Sequence, residues 1–182
     1  VKQKAVLSVL GQDKPGIVAT VSGLLAKLNC NIEELTQTIL QSEFAAIFIF
    51  SFTDKWEELC ETIKKELEAK DLTVKLKILA SDFSWTEEKT EPFVITAIGE
   101  DKVGQIAAIS KIIADYNCNI FNIKASYKSP LYPDKIVMFY EVEVPENVDL
   151  SVLKKSLQII GEELNLEITM QHKNIFENIH RI

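Results

Sequence analysis

Apolar and polar positions along this chain change their period several times, and each change marks an element. Ala5 to Leu10 is a short, nearly continuous apolar run, the pattern of a strand buried on both faces, and it stops at Gly11. From Gly16 the apolar residues Val18, Val21, Leu24, Leu25 and Leu28 recur at helical spacing. Asn29 follows, and asparagine tolerates the left-handed backbone that ends many helices. Asn31 to Leu40 and Phe44 to Phe52 then read as two strands of a hairpin, turning at Gln41-Ser42-Glu43. A second helix carries Trp56, Leu59, Cys60, Ile63 and Leu67 on one face, with Asp54 placed to cap it. Thr73 to Leu79 closes the series as a strand, alternating Val74, Leu76 and Ile78 with Lys75 and Lys77.

The same series then repeats at an offset of 88 positions. Gly11-Gln-Asp-Lys-Pro-Gly-Ile-Val18 returns as Gly99-Glu-Asp-Lys-Val-Gly-Gln-Ile106, and Asn29-Cys-Asn-Ile32 returns as Asn117-Cys-Asn-Ile120. Over Gly11 to Ile32, eleven of twenty-two positions are identical to their partners, far above what average residue usage gives. The second helical stripe is Ile106, Ile109, Ile112, Ile113 and Tyr116, and Asn119 to Tyr127 and Ile136 to Val144 form the second hairpin. Its connection is longer, Lys128 to Lys135 with two prolines, and reads as an irregular loop suited to binding or contact. Leu153, Leu157, Ile160 and Leu164 mark a helix capped by Asp149, and Leu166 to Met170 the last strand.

Each copy is therefore βαββαβ, and the chain is expected to be α+β: two tandem ferredoxin-like domains. The boundaries expected are residues 1–80 for the first domain, 81–92 for a polar linker ending at Pro92, and 93–171 for the second domain. Residues 172–182 form a tail in which Ile175, Phe176, Ile179 and Ile182 are spaced for one helical face that docks back onto the protein or onto a partner. Such units bury their helices on one sheet face. The other face and the strand edges need cover, which the two copies are expected to find by packing together or against a second chain, as in a homodimer.

Composition narrows the function. At 182 residues, with 47% hydrophobic content and no apolar stretch long enough to span a bilayer, the chain reads as globular, without a membrane role. It opens on Val1-Lys2-Gln3-Lys4 without a signal-peptide pattern, so a cytoplasmic location is the simplest expectation. A net charge of −7 and Arg181 as the sole arginine argue against direct nucleic-acid binding. Cys30, Cys60 and Cys118 form neither a C-x-x-C pair nor an even set, so reduced thiols are expected, and His172 and His180 lack zinc-site spacing. No catalytic, metal-binding or cofactor-binding constellation stands out. Acylphosphatases resemble this topology but need an arginine in the first loop for phosphate, and neither loop here has one nearby.

Gly11-x-Asp13-Lys14-Pro15-Gly16-Ile17-Val18, a helix, Asn31-Ile32 and then Gln37-Thr38 resemble the ACT regulatory domain, and the second copy resembles it too, with Val103 in place of Pro15 and Gln105 in place of Ile17. Two such units covering nearly the whole chain are similar to the glycine cleavage system transcriptional repressor family. The resemblance implies a non-catalytic protein that binds a small molecule, usually an amino acid, beside the first loop and helix of a unit. Over matching positions it implies ligand contact by Asp13, Pro15, Gly16, Ile17, Asn31 and Ile32, and by Asp101, Gly104, Gln105, Asn119 and Ile120. Physical chemistry agrees in outline: the unpaired N–H groups of a helix start favour a carboxylate, and Asp13 or Asn31 would accept from an ammonium group. The same residues have an ordinary structural reading, with Asp13 a helix cap, Pro15-Gly16 a turn, and Asn31 a partner for neighbouring backbone. Transcriptional regulation would run through a DNA-binding or enzyme protein partner. The alternatives are a ligand-independent dimerisation module and a detached regulatory subunit of an amino-acid-metabolising enzyme.

Overall fold

A computed structural model describes residues 3–79, 89–129 and 131–179. Residues 81–88 of the expected linker, and His180, Arg181 and Ile182 of the tail, lie outside the described residues. The chain divides into two compact units, Val1–Ser84 and Trp85–Ile182. The first contains β1 (Gln3–Gln12), α1 (Ile17–Lys27), β2 (Asn31–Leu40), β3 (Glu43–Phe52), α2 (Trp56–Glu68) and β4 (Thr73–Ile78). The second repeats the order with β5 (Thr90–Gly99), α3 (Gln105–Asp115), β6 (Asn119–Ser129), β7 (Tyr132–Pro145), α4 (Leu150–Leu164) and β8 (Leu166–His172), and adds α5 (Lys173–Ile179).

Each unit holds one antiparallel sheet, in the orders β2-β3-β1-β4 and β6-β7-β5-β8, which is the ferredoxin-like arrangement predicted from the sequence. The cores form where helix stripes meet one sheet face. Val21 and Leu25 of α1 and Ile63 and Leu67 of α2 are fully buried against Leu7, Phe48 and Phe50; Ile109 and Ile113 of α3 and Leu153 of α4 meet Ile95, Met138 and Tyr140 likewise. Tyr140 stands where the first unit has Phe48. Burial pushes its phenol up to about 12, a rise partly offset by Ser110, and its hydroxyl donates to Met138 Sδ at 3.7 Å.

The repeated Asn-Cys-Asn-Ile motif is a device for ending a helix and starting a strand. Asn29 and Asn117 take φ of 53° and 54°, and the following cysteine N–H groups return to the Leu25 and Ile113 carbonyls at 2.9 and 3.1 Å. Cys30 and Cys118 are buried beneath these turns, and burial pushes the Cys30 thiol up to about 11.

Several expectations are corrected. The first strand is buried on one face only: Ala5, Leu7 and Val9 face the helices, while Leu10 on the other face is 54% exposed, as an antiparallel sheet with one covered face requires. The second hairpin has no broad irregular loop, because β6 and β7 extend until Ser129 pairs with Tyr132. At its other end β7 runs on to Pro145, which draws Thr90, Glu91 and Pro92 out of the linker and into β5, where they pair with Pro145, Val144 and Glu143. Pro92 is tolerated because pairing with β8 begins only at Phe93. Asp54 does not cap α2: the cap position is Lys55 and no side chain bonds to it. Asp149 does cap α4, accepting from the N–H groups of Ser151 and Val152 at 2.9 and 3.3 Å.

Two outcomes test this frame. A Cβ on Gly99 would stand 2.6 Å from the Asn165 carbonyl oxygen, whereas on Gly11 the nearest atom is the movable tip of Leu72, at 2.7 Å, with the Asp71 carbonyl oxygen 3.3 Å away. Gly99→Ala should therefore destabilise by about 1–3 kcal/mol in urea denaturation, and more than Gly11→Ala does. The hydrogen bonds from Ser151 and Val152 hold the Asp149 carboxyl below its usual value of 3.8. Its stabilisation is complete above that value and fades as pH falls through the lower folded value. The melting temperature of Asp149→Ala should accordingly lie below wild type at neutral pH and converge toward it in strong acid.

Candidate ligand-binding site

In the first unit the turn between β1 and α1 is held from both sides. The Asp13 N–H donates to the Ser42 carbonyl at 2.8 Å, tying the turn to the β2–β3 hairpin, and the Lys14 ammonium donates to the Lys70 carbonyl at 3.3 Å. Gly16 caps α1 at φ 93°, a left-handed conformation that a side chain would strain, and its carbonyl accepts from Thr20 N at 2.9 Å. No side chain caps the helix, so Asp13 does not act as the cap that its ordinary reading suggests. The first-turn N–H groups, which helix geometry leaves without backbone acceptors, border a hollow of about 320 Å³. Asp13, Lys14, Gly16, Ile17, Gln37 and Phe44 line it.

Asn31 and Ile32 are not in this hollow. Asn31 pairs with Ser51 while the turn sits beside Glu43, so eight residues of β3, about 27 Å of strand, separate them. Asn119 and Ile120 likewise pair with Glu143 and Val142, at the end of the second sheet remote from Gly99. The reason is topological: α1 and α3 carry the chain to the far end of the sheet, and β2 and β6 run back. The residue that returns to the turn is Gln37. The sequence contained the signal, since an antiparallel strand entered at Asn31 reaches the turn again about six residues later.

The second unit repeats the backbone, and α3 like α1 has no side-chain cap, but the side chains around its turn differ. Gly104 caps α3 at φ 94°. Gln105, in place of Ile17, is 2% exposed; its Oε1 accepts from Lys102 N at 3.1 Å and its Nε2 donates to the Glu100 carbonyl at 2.8 Å. The side chain laces the turn together from inside and leaves its carboxamide little capacity for a ligand. Val103, replacing Pro15, is wholly exposed, and the position of Gln37 is occupied by Ala125, which pairs with Met138 as Gln37 pairs with Ala46. Asp101 remains exposed at the turn. Among the described residues no three His, Cys, Asp or Glu side chains gather as a metal site, and no helix is long and apolar enough to cross a membrane.

The architecture is thus a duplicated βαββαβ unit, with a hollow of about 320 Å³ at the start of α1 in the first copy. The chain belongs to the ACT domain family, whose model matches residues 3–79 and 91–171; domains of this family are regulatory modules that bind small molecules, often amino acids. A UPF0237 protein of Methanocaldococcus jannaschii is 37% identical over 89 residues, covering 49% of this chain and 96% of its own length. A UPF0237 protein of Streptococcus pneumoniae serotype 4 is 39% identical over 75 residues, covering 41% of this chain and 83% of its own. Such relatives match about one unit's length, whereas two solved structures match the tandem. A protein of unknown function from Galdieria sulphuraria aligns with TM-score 0.78 and 21% identity over 94% of this chain and 99% of its own. A protein proposed to be a glycine cleavage system transcriptional repressor aligns with TM-score 0.67 and 19% identity over 94% and 97%. At these identities the two structures establish the shared fold.

Removing the lacing side chain tests the closed turn. Gln105→Ala leaves the Lys102 N–H and the Glu100 carbonyl without their partner, and should cost about 1–3 kcal/mol in urea denaturation.

Proposed function

We propose that this chain is a non-catalytic regulator that binds an amino acid in the hollow of its first unit. The observation that carries this reading is the open first turn: uncapped N–H groups of α1 beside the exposed Asp13 carboxylate and the Gln37 carboxamide. The ligand's carboxylate takes the helix start, favoured by its N–H groups and dipole. Its ammonium group lies toward Asp13 or the Gln37 oxygen, and its side chain toward Phe44. Asp13, Pro15, Gly16 and Ile17 thus act together as one turn, with Pro15 and Gly16 shaping it. Asp101 and Gly104 form the counterpart turn, which Gln105 closes, so the first unit is the principal binder.

The output is a protein contact. Leu35, Ile39 and Leu40 leave apolar surface on edge strand β2, and Phe121, Ile123 and Tyr127 do so on β6. Such edges suit a homodimer or a protein partner, through which ligand occupancy reaches a DNA-binding protein or an enzyme. The similarity to a proposed glycine cleavage repressor supports a transcriptional setting. The acidic chain, at net charge −7, suits an indirect route to DNA.

Thermal unfolding of the full chain with each common amino acid at millimolar concentration tests the reading. A ligand at a hundred times its dissociation constant adds about 2.7 kcal/mol. One or two amino acids should raise the melting temperature, and Asp13→Ala and Gln37→Ala should each shrink that rise. If no amino acid does so while the chain still captures a partner, the protein is a ligand-independent interaction module instead.

A further inference from the structure

The outer faces of the two sheets, those turned away from the paired helices, differ. In the first unit Leu10 and Ile47 on this face are 54% and 46% exposed, and no described element of that unit covers them. In the second unit α5 lies across the face. Phe176 meets Phe139 edge-on, with ring centroids 6.2 Å apart, and the Lys173 ammonium pairs with the Glu141 carboxylate at 3.4 Å. The tail docks back on its own unit through Phe176 of the expected stripe, while Ile175 of that stripe does not take part. Ile175 is 55% exposed, and the residues turned to the sheet are Lys173, Phe176 and Glu177, three and four positions apart.

The helix does not seal against the sheet. Between them remains a cavity of about 280 Å³ with Val94, Phe139 and Phe176 as its apolar walls. Asn122, Lys124 and Glu177 stand around it in addition to the Lys173–Glu141 pair. The ladder places these groups: Lys124 is directly opposite Phe139, and Asn122 opposite Glu141. The Lys173–Glu141 pair is half-buried and neutralises itself, whereas Lys124 and Glu177 have no ion-pair partner among the described residues. On the same face, Gln171, paired with Val94, holds its Oε1 buried without a hydrogen-bond partner, so packing of α5 alone leaves polar capacity unmet.

We infer that α5 and the outer face of the second sheet form a second small-molecule site, for a small zwitterion carrying an apolar side chain. Two opposite charges flank one apolar hollow. An anion alone would answer Lys124 and leave Glu177 facing it, and a cation alone would do the reverse. A zwitterion answers both, with its carboxylate toward Lys124, its ammonium toward Glu177 and the Asn122 oxygen, and its side chain against Val94, Phe139 and Phe176. The cavity lies just below the size range of drug-binding pockets, which suits a molecule of phenylalanine or leucine size. The site is peculiar to the second repeat, because the positions of Lys124 and Phe139 are Thr36 and Ile47 in the first unit. It is also separate from the turns at Gly16 and Gly104: Asn122 and Lys124 lie along β6, and the remainder of the site is on β5, β7 and α5.

The test is a titration of the ¹⁵N-labelled full chain, followed amide by amide, with L-phenylalanine and L-leucine as probes and phenylacetate and 2-phenylethylamine as single-charge controls. The result expected is a saturable shift of the Asn122, Lys124 and Lys173–Glu177 amides by at least one of the two amino acids, with both controls weaker. Lys124→Ala and Glu177→Ala, both surface changes that leave the core intact, should each weaken that response about tenfold, while Asp13→Ala leaves it unchanged. Absence of a saturable shift at these amides with both amino acids overturns the site. Equal binding of a single-charge control, or indifference to both alanine variants, overturns the zwitterion assignment. Shifts confined to Asp13–Val18 overturn this site while supporting the one in the first unit.

Discussion

Everything in this protein depends on the decision, made twice, to bury both helices of a unit on one face of a four-stranded antiparallel sheet. Val21 and Leu25 from α1 and Ile63 and Leu67 from α2 need apolar strands beneath them, and alternating residues of β1 and β3 provide them on one side only. That packing fixes the direction of α1, and therefore which end of the sheet holds the turn at Gly16 and which end holds Asn31. It also leaves, in each unit, a second sheet face that the paired helices do not cover, and in the second unit α5 lies across it. The turn and the outer face are consequences of the core, and both candidate sites occupy what the core does not use.

Duplication preserved the frame and released the sites. Gly16 and Gly104 have φ of 93° and 94°, and both helices end with a left-handed asparagine followed by a buried cysteine, so the backbone problem is solved identically. The side chains around that backbone then diverge at a few positions. Ile17 fills the core, whereas Gln105 at the same place turns its carboxamide back into its own loop. Gln37 reaches the first turn and Ala125 offers the second no polar atom. A buried amide with two satisfied bonds is stable but closed, and a polar group left at the rim of an uncapped helix start is available. One repeat can thus hold shape while the other holds a ligand, without any change in topology.

Much of this was legible in the sequence because it rests on local periodicity and on self-similarity. The offset of 88 residues identified the repeat, and the changes of hydrophobic period marked the elements of both units. What the sequence could not supply was long-range position. Asn31 follows the loop motif closely in sequence, yet an intervening helix takes it to the opposite end of the sheet, and Gln37 comes back in its place. Asp54 and Asp149 look equivalent as caps, but only the second stands at the residue before the first helical turn. Pro92 read as a boundary because its strand context depends on β7, about fifty residues on, extending far enough to pair with it. Ile175 and Phe176 read as one apolar stripe, but on the sheet Phe176 is accompanied by Lys173, which pairs with Glu141, and Ile175 is left exposed.

The tail shows why a regulator gains from such mixed contacts. A short helix held by one aromatic contact and one half-buried ion pair has a small binding energy on its sheet, since exposed or partly exposed pairs contribute little and seven residues cannot sustain a helix alone. Such an element is readily biased by a ligand that touches both surfaces, because a bound molecule shifts an equilibrium by its differential affinity for the docked and undocked forms. An apolar seal of the kind that holds Leu25 or Ile109 would be stronger but insensitive. Charges on both walls would give a zwitterion in the proposed site contacts with α5 as well as with the sheet, so its binding would favour the docked helix.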